Sequence, residues 1–349
     1  MTGRIGAVEQ EPDRRRVTLH DVAREAGVSY ATASRALNGS DRSVRRENAD
    51  RVREAAARLG YLPDLPAQAI AKGSNGTAAL VVNGIDDPYF VTIAAGATAA
   101  AEEAGIILTL AVSDHSPDLE LQIVRTLRGQ RPRAILIAGT RVAGAPSAPD
   151  LIAELEAYRT AGGRITLLTQ PQLPFATLAV DNHGGARQLA EALIDRGYRR
   201  FALVHGDDRL LTSRERREGF TAAVRAAGMD APLPVPSAFS RDGGEQATRA
   251  LIRTGLHDIE AIVAVTDVMA IGVQSALRAA GLVPGRDIGV AGFDDIAPAQ
   301  DVTPTLTTVR VPLHDLGRRA LQLALTSETR ETITVPTQVV LRDSTPPRH

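Results

Sequence analysis

The stretch VTLHDVAREAGVSYATASRALNGS, residues 17–40, holds two short helical patterns with only two residues between them. Thr18, with Asp21 three positions later, has the spacing of a capping box that satisfies the free amides at the start of the first helix. Gly27 permits the sharp turn that ends this helix, and Ser29 can cap the next one. Apolar residues recur at helical spacing in the first helix, at Leu19, Val22, Ala23 and Ala26. Two helices this short cannot bury a core alone, so residues 17–60 predict three packed helices.

The second helix of the pair carries Ala33 and Leu37 inward. Its outer face then holds small polar groups, an aromatic ring and an arginine, at Tyr30, Ala31, Thr32, Ser34 and Arg35. This arrangement predicts a helix-turn-helix whose second helix fits the major groove of DNA, where hydroxyls reach phosphates and an arginine can bind guanine bidentately. A generic helical hairpin with a solvated polar face is the alternative.

Composition limits the class of protein. The chain has 349 residues, 44% of them hydrophobic, which is enough for two or three packed domains. Its net charge is -1, yet residues 1–75 carry 13 Lys and Arg against 10 Asp and Glu. This modestly basic head suggests an anionic partner, although chance fluctuation gives differences of this size.

There is no cysteine, which excludes disulfide frameworks, thiolate nucleophiles and zinc-thiolate sites. The sequence shows neither a secretory signal nor an apolar run of about 18 residues, so we expect a soluble cytoplasmic protein without a membrane partner.

The chain divides by pattern into a head, a linker and a body. Residues 1–16 are polar and predict a disordered arm, 17–62 the helix-turn-helix domain, and 63–76, with two prolines and a Gly/Ser/Asn cluster, a linker. From Thr77 onward, short apolar runs alternate with amphipathic helical segments. The runs, which predict strands, are 78–83, 106–112, 134–139, 165–169, 176–181, 201–206, 261–265 and 288–293. The predicted helices are 90–104, 118–129, 150–162, 184–197, 213–228, 243–255, 267–280 and 312–326. Such alternation predicts parallel sheets covered by helices on both faces, as in a TIM barrel or in two doubly wound lobes.

Two segments, TLHDVAREAGVSYATASRALNG and VRRENADRVREAAARLGYLPD, strongly resemble the headpiece of lactose-repressor-type (LacI/GalR family) transcription regulators. The resemblance implies that Tyr30, Ala31 and Arg35 contact bases. It implies that further residues contact phosphate or cap helices, at Thr18, Ser29, Thr32, Ser34 and Asn38. Ile70 matches the family's linker leucine, which wedges into the minor groove and kinks the duplex. The alternative for Ile70 is a contact that docks the linker on the body.

Three positions depart from the family pattern. Ala33 replaces the usual valine and is a smaller plug between the helices. Arg45 replaces the serine or threonine that caps the third helix, so we expect a weaker or a shifted cap there. Ala31 lacks a hydrogen-bonding group and can offer only apolar contact, for example to a thymine methyl.

The resemblance extends to the body, which is similar to the family's periplasmic-binding-protein-like core. It implies an N-lobe of residues 77–174 and 311–332 and a C-lobe of residues 175–310 and 333–343, with a small-molecule effector bound between them. The matching stretches give these effector-binding residues: Tyr89, Phe90, Thr212, Arg214, Arg216, Phe239 and Asp294. Carboxylates accept hydroxyl donors, arginine donates a planar fork and an aromatic ring covers C–H surface, so a carbohydrate effector is favoured. The structural alternatives are an ion pair for Arg214 and a plain core position for Phe239.

No catalytic or metal-binding constellation is visible. The adjacent aspartates follow strands, where caps and ligand contacts explain them better than hydrolysis does, and the histidines lack metal-ligand spacing. We therefore expect no enzyme, metal or cofactor. The sequence predicts a ligand-responsive, sequence-specific DNA-binding regulator, favouring a repressor, that binds a palindromic operator as a homodimer. The alternatives are a transport-type sugar-binding protein and an α/β enzyme acting on a sugar or nucleotide.

Overall fold

A computed structural model describes residues 17–37, 44–61, 76–256, 258–327 and 329–348 of the chain. The chain divides into two units, Met1–Ala71 and Lys72–His349. The predicted arm (1–16), all of the predicted linker except Gly76, and the two predicted DNA contacts Asn38 and Ile70 lie outside the described residues.

The first unit contains three helices, α1 (Leu19–Ala26), α2 (Tyr30–Leu37) and α3 (Arg46–Leu59). The capping box is confirmed: Asp21 N donates to Thr18 Oγ1, and the Asp21 carboxylate accepts from Thr18 N at 3.0 Å. Ser29 caps α2, because its Oγ accepts from Thr32 N at 3.1 Å. Arg45 stands at the N-cap of α3 without a side-chain cap, as its departure from the pattern predicted.

A small, alanine-rich core holds these helices together. Val22 and Val52 are fully buried at its centre, and Ala33 fills the space between α1 and α2. The expectation that Leu37 points inward is only partly right, since Ala36 is buried and Leu37 is half-buried. Gly27 adopts φ +64°, and a Cβ there would lie 2.6 Å from Arg51 Nη2. Arg51 is a flexible side chain that can move away, so the left-handed backbone at this turn, rather than lack of space, favours glycine.

The second unit contains, within its described residues, two parallel sheets and a short antiparallel pair. The strands are β1 (Thr77–Val82), β2 (Ile107–Val112), β3 (Ala134–Ala138), β4 (Arg164–Leu168), β5 (Thr177–Val180), β6 (Phe201–His205), β7 (Leu233–Pro236), β8 (Ala261–Ala264), β9 (Gly289–Ala291), β10 (Thr308–Arg310), β11 (Thr332–Val335) and β12 (Gln338–Val340). The six-stranded sheet has the order β11-β5-β4-β3-β1-β2, the four-stranded sheet β7-β6-β8-β9, and β10 pairs with β12. Two separate open sheets exclude the TIM barrel and confirm the doubly wound lobes.

Helices cover both faces of the two sheets, because the central strands β1, β3, β6 and β8 are buried along nearly their whole length, whereas the edge strand β2 is largely exposed. They are α4 (Pro88–Glu103), α5 (Pro117–Gln130), α6 (Ala148–Thr160), α7 (Asn182–Asp195), α8 (Leu211–Ala226), α9 (Arg241–Thr254), α10 (Asp267–Ala279), α11 (Pro298–Asp301) and α12 (Leu313–Thr326). Helices α4, α5, α6 and α12 pack on the six-stranded sheet, which we call the N-lobe, and α7 to α10 belong to the C-lobe. No helix in the described part of the chain is long and apolar enough to span a membrane.

The lobe boundary differs from the expected one. The expected boundaries place strand β5 in the C-lobe, within 175–310, and most of β11 there as well, within 333–343. Both strands instead pair within the N-lobe sheet, since Thr177 lies opposite Leu167 of β4 and Thr332 of β11. The chain therefore enters the C-lobe after β5, at Asp181, which caps α7.

Candidate functional site

The outer face of α2 is the first candidate site. Tyr30 is 50% exposed, Ala31 and Arg35 are exposed, and the Tyr30 ring lies 4.5 Å from the His20 ring. Thr32 and Ser34 are half-buried beside them. Tyr30 and Arg35 therefore do not pack into the core of the head. A short helix that exposes an aromatic ring and an arginine can reach base edges in a groove.

The capping residues lie at the amino ends of α1 and α2. Thr18 and Ser29 are exposed, and their hydroxyls already take part in the caps. Helix amino ends carry partial positive charge and unpaired amides, which attract phosphate. The residues expected at the DNA backbone are therefore at positions that suit an anion.

The second candidate site is a cleft of about 280 Å³ between the N-lobe and the C-lobe. Residues that follow parallel strands line it from both sheets, because the carboxyl ends of such strands meet at one edge. The N-lobe supplies Asn83, Thr140 and Gln170 among others, and the C-lobe supplies Arg216, Phe239 and Asp294. The cleft is thus a pocket lined by polar groups and by the three aromatic rings of Tyr89, Phe90 and Phe239.

A buried ion pair forms the polar centre of the cleft. Arg216 Nη2 lies 2.8 Å from Asp294 Oδ1, and both side chains are more than nine-tenths buried. Arg216 Nε donates to Asn182 Oδ1 at 2.9 Å and Nη1 donates to the Val265 carbonyl at 2.8 Å. The guanidinium also lies 3.8 Å from the centroid of the Phe293 ring. Arg216 is therefore held in one position by four contacts.

Asp294 retains capacity to accept a hydrogen bond. The 2.8 Å contact with Arg216 is an ion pair without hydrogen-bond alignment, and Asp294 Oδ1 has no other partner within the described residues. Its backbone adopts φ 122° at the loop after β9. Asp267 holds that loop, since its carboxylate accepts from Thr308 Oγ1 at 2.6 Å and from Ile296 N at 3.0 Å.

Burial dominates the electrostatics of these acids. It raises the pKa of Asp294 well above its ordinary value, although Arg216 opposes the shift. It raises the pKa of Asp267 to about 7. Burial also raises the pKa of Asp87, which caps α4 by accepting from Tyr89 N at 2.9 Å. The cleft is a low-dielectric environment in which each hydrogen bond to ligand counts for more than it does in water.

Hydrogen bonds join the two lobes along the cleft. Gln170 Nε2 of the N-lobe donates to Thr212 Oγ1 of the C-lobe at 2.8 Å. Thr212 N in turn donates to Thr140 Oγ1 at 3.0 Å. The lobes therefore meet around Thr212, and a ligand that changes these contacts changes their relative arrangement.

The structure brings together six of the seven predicted effector-binding residues. Tyr89, Phe90, Thr212, Arg216, Phe239 and Asp294 all line the cleft. Arg214 does not; its side chain is 41% exposed and lies 3.9 Å from Glu218. Residues two apart on a helix point about 200° from each other, so α8 can direct only one of these arginines into the cleft. The alternative reading of Arg214, an ion pair with a nearby acid, is the correct one.

Sequence reasoning missed several lining residues, namely Asn83, Asp87, His115, Thr140, Gln170 and Asn182. Most of them directly follow a predicted strand, so the strand-end rule could have found them. Within the described residues, no three His, Asp or Glu side chains lie close enough together to bind a metal ion.

Comparison with known proteins matches both units. Residues 18–64 match the model of bacterial regulatory proteins of the lacI family, and residues 190–345 match a periplasmic binding protein-like domain. The HTH-type transcriptional regulator CelR of Thermobifida fusca is 32% identical over 335 residues, which cover 94% of this chain and 96% of CelR. The chain belongs to the lacI family. It is a DNA-binding transcriptional regulator with a helix-turn-helix head and a two-lobed core.

Solved structures of lacI-family proteins share the fold. The Lac repressor dimer bound to operator and the anti-inducer ONPF is 25% identical, with a TM-score of 0.79, over 95% of this chain and 100% of that one. The complex of the regulator CelR with cellobiose is 29% identical, with a TM-score of 0.67, over 94% and 100%.

Proposed function

We propose that this lacI-family regulator binds a palindromic operator as a homodimer and that a carbohydrate in the cleft controls its affinity for DNA. The observation that carries the proposal is the buried Arg216–Asp294 pair, which presents a fixed charge-assisted donor and an acceptor beside Phe239. The cleft then serves binding rather than catalysis. The site of action is the cytoplasm, where chromosomal DNA is accessible, and the favoured outcome of DNA binding is repression.

On the DNA side, α2 enters the major groove. Tyr30 and Arg35 contact base edges and Ala31 contacts a thymine methyl. The capping hydroxyls and helix amino ends fix the register on the phosphates, through Thr18, Ser29, Thr32 and Ser34. Asn38 and Ile70 keep the DNA-contacting roles that the sequence predicts. One such head reads few base pairs, so two heads related by a two-fold axis supply the affinity and the palindrome.

On the effector side, a sugar ring lies between the aromatic side chains and the polar pair. The Asp294 carboxylate accepts hydrogen bonds from sugar hydroxyls, because its Oδ1 has no hydrogen-bond partner within the described residues. The Arg216 N–H groups that do not face Asn182, Val265 or Asp294 donate to sugar oxygens. Phe239 and Phe90 cover the C–H faces. A ligand that prefers one arrangement of the lobes shifts the equilibrium between arrangements and thereby the DNA affinity.

Two measurements test this proposal. Selection from random duplexes by the full chain should enrich an inverted repeat. In a thermal-unfolding screen with neutral sugars and nucleobases, a sugar should raise the unfolding temperature, because ligand at 100 times Kd stabilises by about 2.7 kcal/mol. A nucleobase that binds while every sugar fails would contradict the carbohydrate assignment.

A further inference from the structure

A second, smaller cavity of about 50 Å³ lies in the N-lobe beside the cleft. We call it the chamber; its lining includes His115, Glu120, Arg141, Ser147 and Ala148. It shares Asn83, His115 and Thr140 with the cleft, so the two spaces are neighbours separated by few side chains.

Three residues that line the chamber each carry a buried polar atom without a hydrogen-bond partner within the described residues. These atoms are His115 Nδ1, Arg141 Nε and Ser147 Oγ. Arg141 and Ser147 are each only 9% exposed. Most buried polar atoms of a folded protein are paired, and an unpaired one lowers its stability. Three of them around one small space mark a place where a polar group binds.

The unpaired hydroxyl of Ser147 belongs to the residue at the start of helix α6. Ser147 occupies the N-cap position of α6, where a serine hydroxyl normally accepts from a helix N–H. Here the Ser147 side chain makes no cap hydrogen bond. Its hydroxyl therefore serves the chamber rather than the helix.

The chamber is electrically neutral. Arg141 donates both terminal nitrogens to the Glu120 carboxylate, at 2.7 and 2.6 Å, so these opposite charges satisfy each other. Burial lowers the pKa of His115, although Asp114 and Asp86 oppose the shift, and this favours the uncharged imidazole. An incoming cation would meet Arg141 and an incoming anion would meet Glu120. The group that fits is uncharged and both donates and accepts.

A hydroxyl has these properties, since it can accept from Arg141 Nε and donate to His115 Nδ1. We propose that the chamber is a second effector subsite, which receives a hydroxyl or hydroxymethyl group projecting from the carbohydrate toward the N-lobe. The inference rests on the proposed function, because it extends the sugar site of the cleft. The effector is then a sugar with a hydroxylated arm beyond the part held at Asp294, such as a second ring.

Three variants of the full chain test the subsite by calorimetric titration. The probe is cellobiose or, if cellobiose leaves the wild type unchanged, the sugar that the thermal screen identifies. Ser147→Ala removes one hydroxyl and no cap, and should weaken sugar binding by about three- to tenfold. Ala148→Leu fills the chamber and should weaken it by more than tenfold. Ala153→Leu, at an exposed position of the same helix, is the matched control and should bind as the wild type does.

The outcomes separate the two proposals. If the wild type binds the sugar and Ala148→Leu binds it equally well, the chamber proposal is wrong while the cleft proposal stands. Suppose that Ser147→Ala binds the sugar with unchanged affinity and that Ala148→Leu changes only the unfolding temperature, by raising it. The chamber would then hold water alone, and the chamber proposal would again be wrong. If no sugar binds the wild type, the carbohydrate assignment and the subsite both fail.

Discussion

Replacing Arg216 by methionine should destabilise the core strongly. The substitution keeps the approximate length of the side chain but leaves Asp294, which is 3% exposed, without its countercharge. It also removes donors to Asn182 and to the Val265 carbonyl. Breaking a buried pair by removing one partner costs about 3–5 kcal/mol. For a unit of this size, that corresponds to a fall of roughly 10 °C in Tm.

The penalty should depend on pH. Burial already raises the pKa of Asp294, and loss of Arg216 raises it further, so the folded state binds a proton more tightly than the unfolded state does. Stability contributed by such a group falls as pH rises above the ordinary carboxyl value. The Arg216→Met penalty should therefore be larger at pH 7.5 than at pH 5, as measured by urea unfolding.

Two controls make the experiment decisive. Arg214→Met, two residues earlier on the same helix but exposed, should change stability by less than about 0.5 kcal/mol. Adding Asp294→Asn to Arg216→Met should recover part of the loss, because it removes the unpaired charge. The reasoning would be refuted if Arg216→Met lowered the free energy of unfolding by less than about 1 kcal/mol. It would also be refuted if the double variant Arg216→Met/Asp294→Asn were less stable than Arg216→Met alone.

Three further predictions concern other parts of the chain. Arg35→Ala should weaken binding to the selected operator by about tenfold or more and relax its sequence preference, as measured by fluorescence anisotropy with single-base variants; an unchanged preference would exclude base contact by Arg35. Gly27→Ala should lower head stability by about 1 kcal/mol in thermal unfolding, because alanine disfavours φ +64°; an unchanged Tm would contradict the described turn. Because burial raises the pKa of Asp267 to about 7, the contribution of Asp267 to stability decreases as pH rises from about 4 to 7. The difference in unfolding free energy between pH 5 and pH 8, measured by urea unfolding, should therefore be smaller for Asp267→Asn than for the wild type. An equal difference in the two proteins would contradict the raised pKa.

Most of the fold was predictable because its signals are local. Each of the eight helices predicted in the core ends within two residues of its predicted bounds, since apolar periodicity and caps act over a few positions. Strands β7, β10, β11 and β12 were missed. They are three or four residues long, and β7 contains two prolines, so each gains its stability from neighbouring strands rather than from its own pattern.

Non-local choices account for the other errors. The apolar run at β5 gives no sign of which sheet it joins, and only pairing with Leu167 places it in the N-lobe. The sequence shows that Arg214 and Arg216 lie on one helix. It does not show which face of that helix packs against Asn182, and only the face that carries Arg216 does. The chamber could not be predicted at all, because His115, Arg141 and Ser147 meet only through the packing of α5 and α6 on the N-lobe sheet.

The central claim is that a sugar in the cleft controls DNA binding, and the operator affinity of the full chain with and without saturating sugar tests it most directly. We predict that the sugar changes this affinity by about fivefold or more. We also predict that Phe239→Ala, which removes a ring from the cleft and leaves the Arg216–Asp294 pair intact, retains operator binding while losing most of the response. Operator affinity that stays the same when calorimetry shows the sugar bound to the wild type would contradict the account.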